Sequence, residues 1–296
     1  MDLTVIILSF NTKDLLKDCL ISIFDKKWKH KIKVMVVDNN SSDESVNMVR
    51  KNFPQVNIIE SDDNLGFAGG NNLGLRKVKS RYALLLNSDT EVKEGALDNL
   101  IDFMETSDYG IASCKLIDGE GKFQSNAGEL PSFLPMFFWL SGTDDILGKI
   151  SPINSYQERK IGYYNKDREV GWVSGTAMII KDIVLKKIGF LDENIFMYGE
   201  DVEYCLRANK AGIKIGYTNQ AEIIHLGGKS TNQPKFNQWK GEFKGLLYVY
   251  NKYYGFLASF LLRMMIYIFI IFRIVAFLLL GKSQFSGTYA KIIFSI

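Results

Sequence analysis

The chain has little cysteine and no cysteine pattern. Its three cysteines, Cys19, Cys114 and Cys205, stand far apart, with no CxxC pair and no Cys/His cluster. That argues against a disulfide framework or a structural zinc site and suits a reducing, cytoplasmic compartment. An excess of charge is also missing. The 36 basic and 33 acidic residues leave a net +3, which does not fit a nucleic-acid binder. At the start there is no basic stretch leading into a cleavable apolar segment. A strand-like run, Leu3 to Leu8, begins at once, so no signal peptide is expected. What remains is ordinary globular composition, 47% hydrophobic and 23% charged. The length suits one large α/β domain, with or without an appendage.

Strand and helix patterns alternate through the first half. Residues 4–9, 33–37, 57–60, 82–86 and 110–117 read as strands. Residues 43–53, 68–79 and 94–105 read as helices. Between the first two strands, Leu15, Leu16, Cys19, Leu20, Ile23 and Phe24 form one apolar helical stripe. The order predicts a doubly wound, mostly parallel sheet, which binds ligands beyond the carboxyl ends of its strands. Polar residues stand at those ends: Ser9 and Asn11, Asp38, then Asn87 and Asp89. Residues 119–169, with Pro131, Pro135 and Pro152, read as a long excursion, a mobile surface loop or part of an acceptor surface. Beyond them, 172–180 reads as a strand, 182–188 and 200–211 as helices, and 213–217 and 222–226 as strands.

Several runs carry chemistry. In VVDNNSSD, residues 36–43, Asp38 can accept a hydrogen bond from a base or a ribose hydroxyl, or it can form an Asx-turn. NLGFAGGNNLG, residues 64–74, is not GxGxxG and lacks the GKS/T of a phosphate loop. That argues against a dinucleotide enzyme or a P-loop ATPase. Its glycines either let backbone approach an anionic ligand or serve helix packing. In LLLNSDT, residues 84–90, Asp89 follows a buried strand, where one carboxylate with diphosphate oxygens can hold Mg²⁺ or Mn²⁺. His225 also follows a strand, as a ligand or as a structural residue. In FLDENIFMYGEDVEYCLRANKAG, residues 190–212, Val202, Cys205, Leu206 and Asn209 mark the inward helix face. Glu200, Glu203 and Arg207 are expected to face outward. Asp201 lies at the edge of the buried face, where a carboxylate can serve as a general base or simply complement the helix N-terminus.

Taken in order, VIILSFN, VVDNNSSD, NLGFAGGNN, LLLNSDT and the FLDENIFMYGEDVEYCLR run resemble the GT-A-fold family 2 glycosyltransferases, rhamnosyltransferase-like branch, over residues 3–230. The resemblance implies an α/β fold with a mixed, mostly parallel sheet, and inverting transfer from a nucleotide-sugar, best matched by dTDP-rhamnose. It implies Asp201 as catalytic base, and Asp89 with His225 as ligands of Mg²⁺ or Mn²⁺. The donor would be bound by Ser9, Asn11, Asp38, Asn64, Gly66, Gly69, Asn71, Asn87 and Ser88. One departure is Asn87, which stands where the family's DxD motif begins with Asp. It leaves Asp89 as the main carboxylate. A UDP-sugar transferase, a non-catalytic nucleotide-binding scaffold and a nucleotidyltransferase are the competing readings.

Residues 256–280 are almost wholly apolar and would span roughly 37 Å as a helix. Arg263 and Arg273 interrupt them, each costly at a bilayer centre but able to snorkel together to one side. The segment reads as lying in a membrane surface in preference to crossing it. The expected division is a catalytic domain at 1–235, with a donor half at 1–118 and an acceptor half at 119–235. A helical membrane-associating tail follows at 236–296. The expected partners are a nucleotide-sugar, a glycan or lipid-linked acceptor and a membrane surface, and no nucleic acid.

Overall fold

The computed structural model describes residues 1–143, 154–227 and 235–296. Pro152 and the 228–230 end of the His225 run lie outside them. Twelve strands and nine helices are described. The strands are β1 (Leu3–Ser9), β2 (Ile32–Asp38), β3 (Asn57–Glu60), β4 (Tyr82–Asn87), β5 (Thr90–Val92), β6 (Ile111–Ile117), β7 (Phe123–Gln124), β8 (Ala127–Gly128), β9 (Arg168–Val170), β10 (Trp172–Val173), β11 (Ala177–Lys181) and β12 (Ile215–His225). The helices are α1 (Lys13–Phe24), α2 (Ser45–Asn52), α3 (Gly66–Leu75), α4 (Ala96–Thr106), α5 (Phe133–Ser141), α6 (Asp182–Ile188), α7 (Glu200–Lys210), α8 (Lys235–Leu279) and α9 (Ser283–Ile293).

The main sheet runs in the order β3-β2-β1-β4-β11-β6-β12-β5. Strands β1 to β4 pair in parallel, as do β6 and β12, while β11 is antiparallel to both neighbours. This is the expected mixed, mostly parallel sheet flanked by helices. The strands carry near-continuous Val, Ile and Leu because both faces are covered, by one apolar cluster on each side. Register then sets the site. Ser9 lies opposite Asp38 and Leu8 opposite Asn87, so three polar strand ends finish level at one edge.

Several expectations change, among them the inward placing of Asn209, which is exposed. The single strand at 172–180 is two strands, β10 and β11, interrupted at Ser174–Thr176. The two strands at 213–226 are one, carried through a bulge between Thr218 and Glu222. The excursion holds α5, three short strands and a 3₁₀ turn at Ile161–Tyr164. Finally, the outer face of α7 is covered. Glu200 is 5% exposed and Glu203 0%, because α8 lies across them. Lys252 and Tyr253 of α8 bond Glu203, which also pairs with Arg207, and Lys252 pairs with Asp192.

Helix α8 is not a straight rod. At Gly255 the backbone adopts φ 85° and ψ 174°, and the Ser259 hydroxyl donates to Leu247 O at 3.1 Å. Residues twelve apart in a straight helix would be about 18 Å apart. The two limbs therefore fold back on one another as a hairpin. The first limb buries Phe243, Leu246, Val249 and Tyr250 in the body of the protein. The second buries Leu262, Ile266 and Ile270 and exposes Leu257, Ile268, Ile271 and Phe272. Arg273 does not snorkel beside Arg263. Its guanidinium donates to Leu140 O at 2.8 Å and stacks over the Trp239 and Tyr289 rings.

Candidate active site

The level strand ends build the first wall. Asp38 is buried; its Oδ2 accepts the Ser41 N–H at 2.9 Å, and its Oδ1 has no hydrogen-bond partner among the described residues. A buried carboxylate oxygen left open at a strand end is arranged for a donor from outside, such as a ribose hydroxyl or a base N–H. Asn11, at φ 53°, holds this loop by accepting from Ser42 N–H while its own N–H donates to Ser41 Oγ. Ser9, Thr12 and Ser88 form a buried hydroxyl chain linking β1 to the loop after β4.

The Gly-rich run is tied inward. Asn39 Nδ2 donates to Asn64 Oδ1 and Gly66 O, and Asn39 Oδ1 accepts from Leu65 N–H. Gly66 has φ +70°, and a Cβ there would meet Phe196 O at 2.2 Å. A Cβ on Gly69 would meet Leu65, one on Gly70 Leu8, and one on Gly74 Ile6. These glycines therefore bring α3 close to β1 and to the 190–199 loop. Asn71 bonds back to Phe67 O within α3, while Asn72 clamps Leu191 and Glu193.

The second wall carries the acid–base and metal-type groups. Antiparallel pairing sets His225 opposite Thr90, one residue beyond Asp89. His225 Nε2 then lies 3.4 Å from Asp89 Oδ1. On the other side of the ring, His225 Nδ1 is 2.7 Å from Gln124 Oε1, and Gln124 Nε2 donates to His225 O. The Gln124 amide orientation is thus fixed, so Nδ1 donates to Gln124 Oε1 while Nε2 turns to a carboxylate. A carboxylate and an imidazole oriented by a second hydrogen bond form a donor set that fits a divalent cation.

Asp201 is held by the interruption between β10 and β11. Its Oδ2 accepts the Gly175 N–H at 3.1 Å and its Oδ1 the Val202 N–H at 2.8 Å. The next residue, Thr176, accepts the Asn87 N–H, which ties this segment to the strand ends. Burial raises the Asp201 pKa, against the lowering effect of those N–H groups. Glu200 is pushed well above the ordinary carboxylate range by burial and by the Asp201 charge, and its Oε2 has no partner among the described residues. Glu242 of α8 is pushed up to about 7 by burial and by Asp201, with Arg159 opposing. The α8 helix meets this loop through glycines. A Cβ on Gly245 would stand 2.3 Å from Tyr198 O, just before Gly199, Glu200 and Asp201.

Gln124, Gly175, Asn39 and Glu242 were not singled out in the sequence. Only Asn39, inside VVDNNSSD, had a local signal. The others gain meaning from contacts across the fold, Gln124 with a residue 101 positions away. Another ligand-type group, His30, Asp102 and Glu105, lies at the opposite end of the sheet, before β2 and at the end of α4. Lys29 and His30 already pair Asp102, and Arg81 pairs Glu105.

The profile of glycosyl transferase family 2 matches residues 4–189, which takes in every strand end described above up to β11. The chain belongs to this family. It is 27% identical over 237 residues to a low-salt glycan biosynthesis hexosyltransferase of Haloferax volcanii, covering 79% of this chain and 68% of that protein. It is 26% identical over 218 residues to the N-acetylglucosaminyl-diphospho-decaprenol L-rhamnosyltransferase of Mycobacterium tuberculosis, covering 68% and 69%. Among solved structures, a mannosyltransferase of Pyrobaculum calidifontis, in complex with GDP-Man and Mn²⁺, superposes with a TM-score of 0.60 at 16% identity. That superposition covers 98% of this family 2 chain and 73% of the other, and establishes a shared fold.

Proposed function

We propose that this protein is an inverting, divalent-metal-dependent hexosyltransferase. It moves a sugar from a nucleoside-diphosphate donor to a hydroxyl of a lipid-linked glycan, at the cytoplasmic face of a membrane. The observation that carries this reading is the tethering of Asp201. The Gly175–Thr176 segment links a half-buried carboxylate with a raised pKa to the strand end that leads to Asp89. Asp201 accepts the proton of the acceptor hydroxyl as its oxygen attacks the anomeric carbon. The bond from that carbon to the diphosphate breaks in the same displacement, so the configuration inverts. Asp38, Ser9, Asn11, Asn64, Asn87 and Ser88 hold the donor, with Gly66, Gly69 and Asn71 shaping the backbone beneath it. Asp89 and His225 hold the cation, which when bound supplies positive charge for the departing diphosphate.

The donor half is residues 1–118 and the acceptor half 119–235, with the membrane-associating helices at 236–296. The second limb of α8 packs along the protein, so crossing a bilayer would carry the charged first limb into hydrocarbon. Docking in the membrane surface avoids that cost. Rhamnose from dTDP-rhamnose is the best-supported donor, because the curated relatives include a rhamnosyltransferase at 26% identity.

The test is thermal stabilisation by dTDP, UDP and GDP, with and without Mn²⁺, followed by transfer assays with the matching sugars. Metal-dependent stabilisation by dTDP, lost in Asp89→Ala, fits the proposal. A preference for UDP moves the donor to a UDP-sugar. No response to any nucleotide sinks the enzyme reading.

A further inference from the structure

The two limbs of the α8 hairpin leave a cavity of about 360 Å³ between them. Lys244, Tyr248 and Asn251 line it from the first limb, and Ser259 and Arg263 from the second. Phe256 and Phe260 also line it; they are 79% and 45% exposed and continue into the apolar outer face of the hairpin. Neither Lys244 nor Arg263 makes a hydrogen bond or ion pair with a described residue. Neighbouring cations behave otherwise: Lys252 is bound by Asp192 and Glu203, and Arg273 by Leu140 O. Ile296 lines the cavity too, with its carbonyl oxygen bonded by the Tyr267 hydroxyl and no ion pair to either cation.

Two cations that line one cavity and make no ion pair among the described residues favour an anion bound there. The Asn251 amide beside them can donate to a tetrahedral oxyanion, and the two exposed rings suit a hydrocarbon chain. We infer that this cavity binds the phosphate of an anionic amphiphile, with its chain laid over Phe256 and Phe260. The amphiphile rests on the membrane-surface reading above; the phosphate chemistry does not.

The test uses the full chain and vesicles of phosphatidylcholine, with or without phosphatidylglycerol. The expected result is tighter binding to the phosphatidylglycerol vesicles. The Lys244→Gln/Arg263→Gln double variant should lose about 25-fold of that preference, at about fivefold per cation, and keep its binding to phosphatidylcholine. The charge-matched Lys282→Gln/Lys291→Gln pair should keep the preference. Equal loss by both pairs would mean diffuse attraction and overturn the site, as would a wild type with no preference. Lys244 is exposed, so Lys244→Gln alone keeps the fold and should lose about fivefold if the double variant is unstable. Titration with inorganic phosphate separates the sources. A rise in melting temperature that the double variant lacks, without any vesicle binding, keeps the phosphate site and ends the membrane reading. A rise equal in both proteins overturns the site.

Discussion

His225 Nε2 faces Asp89 Oδ1 across 3.4 Å, while Gln124 fixes the proton on the far side of the ring. Nε2 and the carboxylate then point at the same space, where a cation between them would be held by both. His225→Ala should therefore weaken the Mn²⁺ dependence of nucleotide binding. Gln124→Leu, which removes no ligand but frees the His225 ring, should lower metal affinity by about tenfold to a hundredfold. Calorimetric Mn²⁺ titration in the presence of nucleoside diphosphate checks both. An unchanged affinity in both variants would remove this pair as the metal site.

Asp201→Asn keeps an oxygen for the Gly175 N–H and removes the base. Transfer should fall by about 10²- to 10⁴-fold with the melting temperature nearly unchanged. Burial raises the pKa of this carboxyl, and only its ionised form accepts a proton. The wild-type rate should therefore rise with pH through a limb lying above the ordinary aspartate value of 3.8. Wild-type-like turnover by the variant would exclude Asp201 as base.

How much of this was legible in the sequence follows from the range of each contact. β3 and α6 match their expected bounds, since a short apolar run between turn residues is a local signal. The break at Ser174–Thr176 was read through as strand because Trp172 to Ile180 is apolar on either side of it. Its purpose, a backbone N–H for Asp201, appears only when α7 is in place. Glu203 was expected on a solvated face by helical spacing alone. Spacing cannot reveal that a helix some fifty positions later supplies Lys252 and Tyr253 to bury it. The glycines of the 64–74 run were open to two readings from sequence, and their Cβ positions now meet protein atoms.

Gly245 touches backbone that cannot yield, since a Cβ would stand 2.3 Å from Tyr198 O and 3.2 Å from the Gly199 Cα. Gly245→Ala should destabilise the fold by about 1–3 kcal/mol. It should also lower kcat more than KM for the donor, because Glu200 and Asp201 follow directly. Urea unfolding and steady-state kinetics measure the two effects. A stability loss with unchanged kcat would show that α8 does not set the position of Asp201.

Leu257 and Phe272 are 69% and 66% exposed on the outer face of the second limb, on the side away from Leu262, Ile266 and Ile270. Replacing both with Asp removes apolar surface that the fold does not bury. Unfolding midpoints should move little, while sedimentation with phosphatidylcholine vesicles should fall at least tenfold. Unchanged sedimentation would detach this face from membrane binding.

Glu242 makes the stability of the fold depend on pH. Its ordinary value is 4.5 and burial brings it to about 7, so the folded protein favours the protonated form. That preference contributes stability in full below pH 4.5, and the contribution is lost as pH rises from 4.5 through about 7. Above that window the chain holds a second negative charge near Asp201. Glu242→Gln keeps the shape and cannot ionise. Asp201 and Glu200 titrate in both proteins, so their direct contributions largely cancel in the comparison. The variant should therefore match wild type at about pH 4.5 and exceed its urea midpoint at about pH 8, with the gap opening across neutrality. A gap that narrows as pH rises would show that Glu242 does not ionise in this buried field beside Asp201.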